Sequence, residues 1–264
     1  MTDAEVAEAA EVLARGGVVA LTGAGISAES GIPTFRDPGG IWERFDPEVY
    51  GTWEGVMRAA MTRPDALADF LGQLRGAFAA AEPGEAHTAL ARLEEGGLLD
   101  AVITQNVDGL HQEAGSRRVL ELHGSFSRRA CLACGHREVV SRAEFLEGLD
   151  HAIRGLRTAF VPSLASLLPR CSRCGGPARP DFVAFEEAVH DLPEAEGLAA
   201  GCRAMLVVGT HGEVYPAAGL PALARLAGAT VVEISTGGTF IEADLRLRGP
   251  AGEVLPALVA AALK

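Results

Sequence analysis

Between Thr104 and Gly124 the chain gathers two side-chain amides (Gln105, Asn106), a carboxylate (Asp108) and an imidazole (His123). They lie at the ends of two short apolar runs, Leu98–Ile103 and Val119–Leu122. In a parallel α/β sheet, ligands sit in the crevice beyond the carboxyl ends of the strands. These groups are therefore of the right types for a reaction centre in which an imidazole takes a proton near neutral pH. The same residues also suit a plain Asx turn at Asn106 and Asp108 and a structural histidine at position 123. His111, on the helix expected after Gly109, reads as structural.

A second set of chemically active groups is the cysteines. Cys131 and Cys134 form one C-x-x-C pair, Cys171 and Cys174 another, with 36 residues between the pairs. Each pair places two thiolates on one tight turn, and together they make a closed tetrahedral S4 site suited to one structural zinc ion. A closed site leaves no position open for catalysis. Binding zinc can supply on the order of 10 kcal/mol of folding free energy to a small module. Neither pair opens a helix after a strand, as a redox C-x-x-C does. His136 is expected to be exposed, and Cys202 to behave as a small buried hydrophobe.

The elements that must position these groups can be read in order. Val6, Ala9, Ala10 and Leu13 recur at helical spacing over Asp3–Arg15, with Asp3 as the expected N-cap. Val18–Leu21 is a short continuous apolar strand of the kind buried on both faces. Gly23, Gly25 and Ala28 then fit G-x-G-x-x-A, in which glycines admit a pyrophosphate to the backbone and the N-terminus of a following helix favours its charge. The acidic residue that normally follows about 20 positions later is missing. A turn-rich stretch, Gly31–Gly40, stands there instead and reads as a mobile cover for a ligand. Helices are expected over Pro64–Ala80, Ala86–Glu95, Arg142–Leu156, Tyr215–Leu226 and Gly252–Leu263. Strands are expected over Ala204–Val208 and Thr230–Ile234, with a loop around Val161–Pro169.

A net charge of −12 argues against duplex nucleic acid as a partner, so no direct nucleic-acid contact is expected. It leaves basic protein substrates open. No leader precedes the first helix and no apolar run approaches the roughly 18 residues of a membrane span. With paired cysteines reading as metal ligands, the expected setting is cytoplasmic, with no membrane association.

In combination the motifs resemble the sirtuin family of NAD-dependent protein lysine deacylases, in its bacterial type. The matching residues are Gly23–Ser27, Ser30–Arg36, Thr104–His111, Glu121–Gly124, the four cysteines, Arg179–Asp181, Val207–Thr210 and Pro216–Ala218, in family order along nearly the whole chain. The resemblance implies an α/β fold: a Rossmann-like parallel-sheet large domain with a small zinc-ribbon plus helical module. It divides the chain into residues 1–40, 86–125 and 181–264 as the NAD-binding domain, 41–85 as the helical module and 126–180 as the zinc module. NAD and an acyl-lysine would meet in the cleft between the domains. Carried over by motif, Gly23, Ala24, Gly25, Ile26, Phe35 and Arg36 surround NAD, Gln105 contacts the nicotinamide ribose, and Asn106 and Asp108 serve the nicotinamide pocket and the reacting ribose. Gly209, Thr210, His211 and Ser235 face the adenosine half, with Ala251 near the adenine. Val183 and Phe185 border the acyl-lysine peptide, which similar proteins bind as an added strand. The acyl oxygen would displace nicotinamide at the ribose, with His123 as base on the ribose hydroxyls, giving free lysine and O-acyl-ADP-ribose. NAD would thus be consumed as a co-substrate. A monomer is the expected state.

The chain departs from the family's usual pattern at three places. His211 stands where Ser is usual, Ser235 where Asn is usual, and Phe185-Glu186-Glu187 where Phe-Gly-Glu is usual. The first two imply altered NAD affinity, and Glu186 a preference for basic residues beside the target lysine. Members that remove succinyl or malonyl groups carry a Tyr-x-x-Arg pair, which aligns here with Leu71 and Leu74. Burying an unpaired carboxylate is costly, so acetyl or longer neutral acyl groups are expected over succinyl. Arg75 is one position away from that alignment. Mono-ADP-ribosyl transfer to protein, or a catalytically silent NAD sensor, are the other readings of the same site.

Overall fold

The computed structural model describes residues 2–34, 39–158 and 164–264. In chain order its elements begin with α1 (Asp3–Leu13), β1 (Val18–Thr22), α2 (Ile41–Arg44), α3 (Pro47–Tyr50), α4 (Trp53–Thr62), α5 (Pro64–Ala80) and α6 (Glu85–Glu95). Next come β2 (Leu99–Thr104), α7 (Leu110–Glu113), β3 (Val119–Glu121), β4 (Gly124–Cys131), β5 (Arg137–Val139), α8 (Arg142–Leu156) and β6 (Ala178–Phe182). The chain continues with α9 (Leu192–Gly201), β7 (Ala204–Val208), α10 (Leu220–Leu226), β8 (Thr230–Ser235), β9 (Leu245–Arg248) and α11 (Ala251–Ala262). They fall into two compact units.

The first unit comprises residues 1–31, 82–122 and 189–264. Its six strands run parallel in the order β3-β2-β1-β7-β8-β9. This is the doubly wound order in which the topology reverses between β1 and the strand beside it, here β7. The apolar strands are continuous because both faces are covered. Val18, Ala20, Leu206 and Val232 pack with Leu13 of α1, Leu90 of α6 and Leu255 of α11. Val19, Leu21, Met205 and Val231 point the other way, onto Ala195 and Ala199 of α9 and Ala224 of α10.

Local chemistry sets the element ends. Thr2, not Asp3, caps α1: its Oγ1 accepts the Glu5 N–H while the Glu5 carboxylate accepts the Thr2 N–H. That reciprocal Thr-x-x-Glu pair satisfies two end donors, which Asp3 alone could not do. The expected helix Tyr215–Leu226 is shorter, with a 3-10 turn over Ala217–Gly219 and α10 only from Leu220. Pro221 occupies the first turn of α10, where a missing N–H is harmless. The edge strand β9 carries an alternation, Leu245-Arg246-Leu247-Arg248, that the sequence reading passed over.

The second unit comprises residues 32–81 and 123–188. Residues 32–40, 123–125 and 181–188, assigned above to the large domain, cluster here instead. A three-stranded antiparallel sheet runs β5-β4-β6, and α5 packs along α8. Phe78 of α5, Phe126 of β4 and Phe145 of α8 form one ring cluster, with centroids 4.6 Å, 5.9 Å and 4.6 Å apart. That cluster joins the helical segment and the cysteine-bearing segment into a single body. Part of the loop expected around Val161–Pro169 lies outside the described residues, and Leu164–Leu167 forms a 3-10 turn. Among the described residues, no helix is long and apolar enough to cross a membrane.

Candidate active site

The floor of the site is a set of interlocked glycines at the carboxyl ends of β1 and β7. Gly23 N–H donates to Val208 O (3.0 Å) and Gly25 N–H to Gly209 O (2.9 Å). A Cβ on Gly23 would lie 2.8 Å from Gly209 O, and one on Gly25 2.8 Å from Gly209 Cα. Gly209 is left-handed (φ 65°), and a Cβ there would lie 2.4 Å from Ile26 N. Only bare backbone fits, which leaves amides accessible to a bulky anion at the topological switch point. The expected helix after this turn does not form. Ala24–Ile26 and Ala28–Ser30 are two 3-10 turns, ended by left-handed Gly31 (φ 82°). A dinucleotide would meet separate backbone N–H groups here rather than an α-helix N-terminus.

Asn106 and Asp108 are brought together by a residue that sequence reasoning gave no role, Ser27. The Asn106 amide donates to Ser27 Oγ (3.0 Å) and to Gly23 O (3.2 Å), and Ser27 Oγ donates to Asp108 Oδ2 (2.7 Å). Asp108 Oδ1 accepts the Leu110 N–H at 3.0 Å. His87, third residue of α6, completes the group. Gly84 N–H donates to its Nδ1 (3.2 Å), which leaves the ring proton on Nε2 to reach Ser27 Oγ at 3.3 Å. Ser27 and His87 are fully buried. Burial holds the His87 pKa below its usual value against the opposing pull of the Asp108 charge, so the imidazole is neutral at pH 7. The sequence signal was present in Gly84-Glu85-Ala86-His87, a histidine in the first turn of a helix.

A second buried chain lies beneath the first. His111 Nε2 meets Thr22 Oγ1 (2.9 Å), Thr22 donates to Thr104 Oγ1 (2.8 Å), and Thr104 Oγ1 accepts the Asn106 N–H (3.0 Å). Burial, then the neighbouring His87, pushes the His111 pKa down to about 3. Gln105 spans from the end of β2 to the end of β7, donating to Thr210 Oγ1 at 2.9 Å. Ala251 opens α11, whose next N–H, that of Gly252, donates to Glu29 (2.7 Å). Phe35 and Arg36 lie outside the described residues.

His123 belongs to the second unit, immediately before β4. Its carbonyl accepts the Val183 N–H (2.8 Å), the first bond beyond the end of β6. Gly124 must be glycine, because a Cβ there would sit 1.9 Å from Asp181 O and its φ is 78°. β6 is an edge strand of its sheet. Beyond it Phe185 N–H donates to Gly51 O (2.9 Å), and the Phe185 ring is 39% exposed. Leu71 and Leu74 pack partly buried along α5 against the cluster of Phe70, Ile41 and Leu67. Arg75 is held against Asp150 by two bonds of 3.1 and 3.2 Å.

The four cysteines converge in the same unit, with all Sγ atoms within 4.8 Å of one another. Cys131 and Cys174 are 3.5 Å apart, Cys134 and Cys171 3.9 Å. A tetrahedron of zinc–sulfur bonds needs S–S edges of about 3.8 Å, so the set fits one zinc ion. Backbone N–H groups of Ala133, Cys134, Arg173 and Gly176 point at the sulfurs from 3.4 Å, an arrangement that stabilises thiolates. His136 is half-buried rather than exposed and stands outside the cluster. Cys202 is buried, and desolvation pushes its thiol up to about 11.

The Sir2 family model matches residues 23–216. The chain belongs to the Sir2 family. A protein named NAD-dependent protein deacylase from Desulfosudis oleivorans is 40% identical over 260 residues, covering 97% of this chain and 95% of its own. A mutant Sir2 homologue solved as an ADP ribose complex is 34% identical with a TM-score of 0.80, covering 99% and 96% of the two chains. A Sir2 structure bound to a myristoylated histone peptide is 36% identical with a TM-score of 0.73, covering 99% and 97%.

Within this Sir2 chain the three departures have distinct surroundings. His211 takes part through its backbone, its carbonyl accepting the Phe240 N–H at 2.8 Å. Ser235 Oγ accepts from Arg248 Nη1 at 2.8 Å and donates to Gly237 O at 3.2 Å. Glu186 occupies the left-handed region (φ 74°), where the family's usual glycine is unstrained.

Proposed function

We propose that this Sir2 chain removes acyl groups from lysine side chains of proteins and consumes NAD in doing so. One observation carries the reading: a buried Asn106–Ser27–Asp108 triangle beside a glycine cradle at the carboxyl ends of β1, β2 and β7. A preorganised amide and carboxylate suit one ribose and its carboxamide, and the cradle admits a pyrophosphate. NAD, when bound, supplies the ribose carbon that takes the acyl oxygen and the nicotinamide that leaves. Ser27 and the neutral His87 hold Asn106 and Asp108 in place. Gln105 and Thr210, linked across the strand ends, border the ribose. His123 takes a proton from a ribose hydroxyl. The acyl-lysine peptide adds along Val183–Phe185, beyond the unpaired edge of β6. Zinc, held by Cys131, Cys134, Cys171 and Cys174, keeps the three-stranded sheet in shape and takes no part in the chemistry. Reduced thiolates for that site favour a cytoplasmic setting, and the charge of −12 favours protein over nucleic acid as partner.

The acyl group is neutral in this reading. Leu71 and Leu74 offer no cation, and Arg75 is already engaged with Asp150. The test combines NAD with acetyl-, succinyl- and long-chain acyl-lysine peptides, beside His123→Ala and the pair Leu71→Tyr with Leu74→Arg, and follows products by mass spectrometry. NAD-dependent loss of the acyl group, O-acyl-ADP-ribose formation and its absence in His123→Ala are expected. Acetyl or long-chain peptides are expected to outrank succinyl, with the double variant reversing the order. ADP-ribose on protein without acyl loss, or succinyl ranking first in the native chain, would overturn the corresponding part.

A further inference from the structure

The inference concerns the far end of the same nucleotide site and rests on the nucleotide site proposed above. A dinucleotide whose reacting half lies at Asn106 and Asp108, on the β2 side of the switch point, must lay its other half across the carboxyl ends of β7, β8 and β9. The last residues of β8 and β9, Ser235 and Arg248, are direct register partners there. Arg248 is exposed, and its recorded bonds go to neutral acceptors: Ser235 Oγ at 2.8 Å and the Gly237 carbonyl. No carboxylate pairs with it among the described residues.

The carboxylates of this neighbourhood are engaged elsewhere. Glu233, 1% exposed, pairs with Arg246 (2.8 Å) and accepts from Thr239 (2.5 Å). Glu242 and Asp244 both pair with Arg225 at 3.1 Å. Glu29 accepts the Gly252 N–H. Dinucleotide sites that select an unphosphorylated ribose place a carboxylate against its 2′-hydroxyl, whereas an arginine there accommodates a 2′-phosphate. A guanidinium whose partners are only a hydroxyl and a carbonyl can exchange them for a charge-assisted, bidentate bond to phosphate. The small Ser235 side chain leaves room where the usual Asn would stand.

We propose that Arg248, with Ser235, makes the adenosine end of this site accept a 2′-phosphorylated dinucleotide, so that NADP competes with NAD for the chain. Calorimetry on the zinc-loaded full chain measures the two affinities separately, and NADP is added as inhibitor to the NAD-dependent reaction. NADP binds in competition with NAD, and Arg248→Ala lowers the NADP-to-NAD affinity ratio by about tenfold or more, the loss expected for one charge-assisted phosphate contact. Arg248→Lys, which keeps the charge but not the fork, gives an intermediate ratio. NAD binding without NADP binding, or an unchanged ratio in Arg248→Ala, overturns this inference and leaves the proposed function standing. Failure to bind either nucleotide overturns both.

Discussion

Ser27→Ala is the most informative single change, because one hydroxyl organises three catalytic-site partners. It accepts from Asn106 (3.0 Å) and His87 (3.3 Å) and donates to Asp108 (2.7 Å). In Ser27→Ala the His87 Nε2–H loses its only partner in this network, and one of the two Asn106 amide hydrogens is orphaned. The vacated space, one oxygen atom in a fully buried position, is too small for a replacement water. Each buried donor left unpaired costs about 1–3 kcal/mol. Partial relaxation brings the sum to roughly 2–4 kcal/mol, a fall in Tm of about 4–16 °C for a domain of this size. Catalysis should suffer further, because a displacement of about 1 Å in a positioning group can lower the rate on the order of 100-fold. Thermal unfolding, and NAD-dependent deacylation at a temperature where both proteins are folded, read the two effects separately. Ser27→Thr retains the hydroxyl and should recover much of both. An Ala variant with native Tm and native turnover would refute the claim that this hydroxyl holds Asn106 and Asp108.

Cys171→Ser should release zinc and unfold the second unit, since the metal supplies on the order of 10 kcal/mol to such a module; metal content and circular dichroism check this, and a folded metal-free variant would contradict it. Glu186→Gly removes a left-handed glutamate (φ 74°) and should raise stability by about 0.5–1 kcal/mol in urea titrations, after allowing for the greater freedom of glycine in the unfolded chain. The same change should flatten any preference for basic residues beside the target lysine on a peptide array. His111 titrates near 3 in the folded chain, below its ordinary value of 6.5. Between those values the unfolded chain binds a proton that the folded chain does not, so stability is full above pH 6.5 and falls as the pH drops toward 3. The lowered His87 pKa acts in the same direction. Urea midpoints against pH for the native chain and His111→Gln should show a shallower fall in the variant, and parallel curves would count against the shift.

Much of the fold was legible because its signals are local. Val18–Leu21 and Ala204–Val208 read as strands from short continuous apolar runs, and α5 and α8 match the expected bounds at both ends. Local signals failed where two rules competed. The glycine run after β1 suggested a helix, but left-handed Gly31 stops each turn at 3-10 length. Leu245–Arg248 was missed because a four-residue alternation is weak until it has a neighbouring strand to pair with.

For the site, the sequence by itself determined the chemistry available. Four cysteines at knuckle spacing dictate a closed thiolate set, and glycines at 23, 25 and 209 allow backbone to approach backbone. The tertiary structure decided which groups act on which. Ser27 meets His87 across 60 positions and Asp108 across 81, Arg248 reaches Ser235 rather than a carboxylate, and Arg75 is committed to Asp150. Periodicity and spacing record what a residue does to its neighbours within a few turns of chain. A hydrogen bond between distant residues depends on how strands order in a sheet and which face each side chain takes, and that order is set only when the whole core packs.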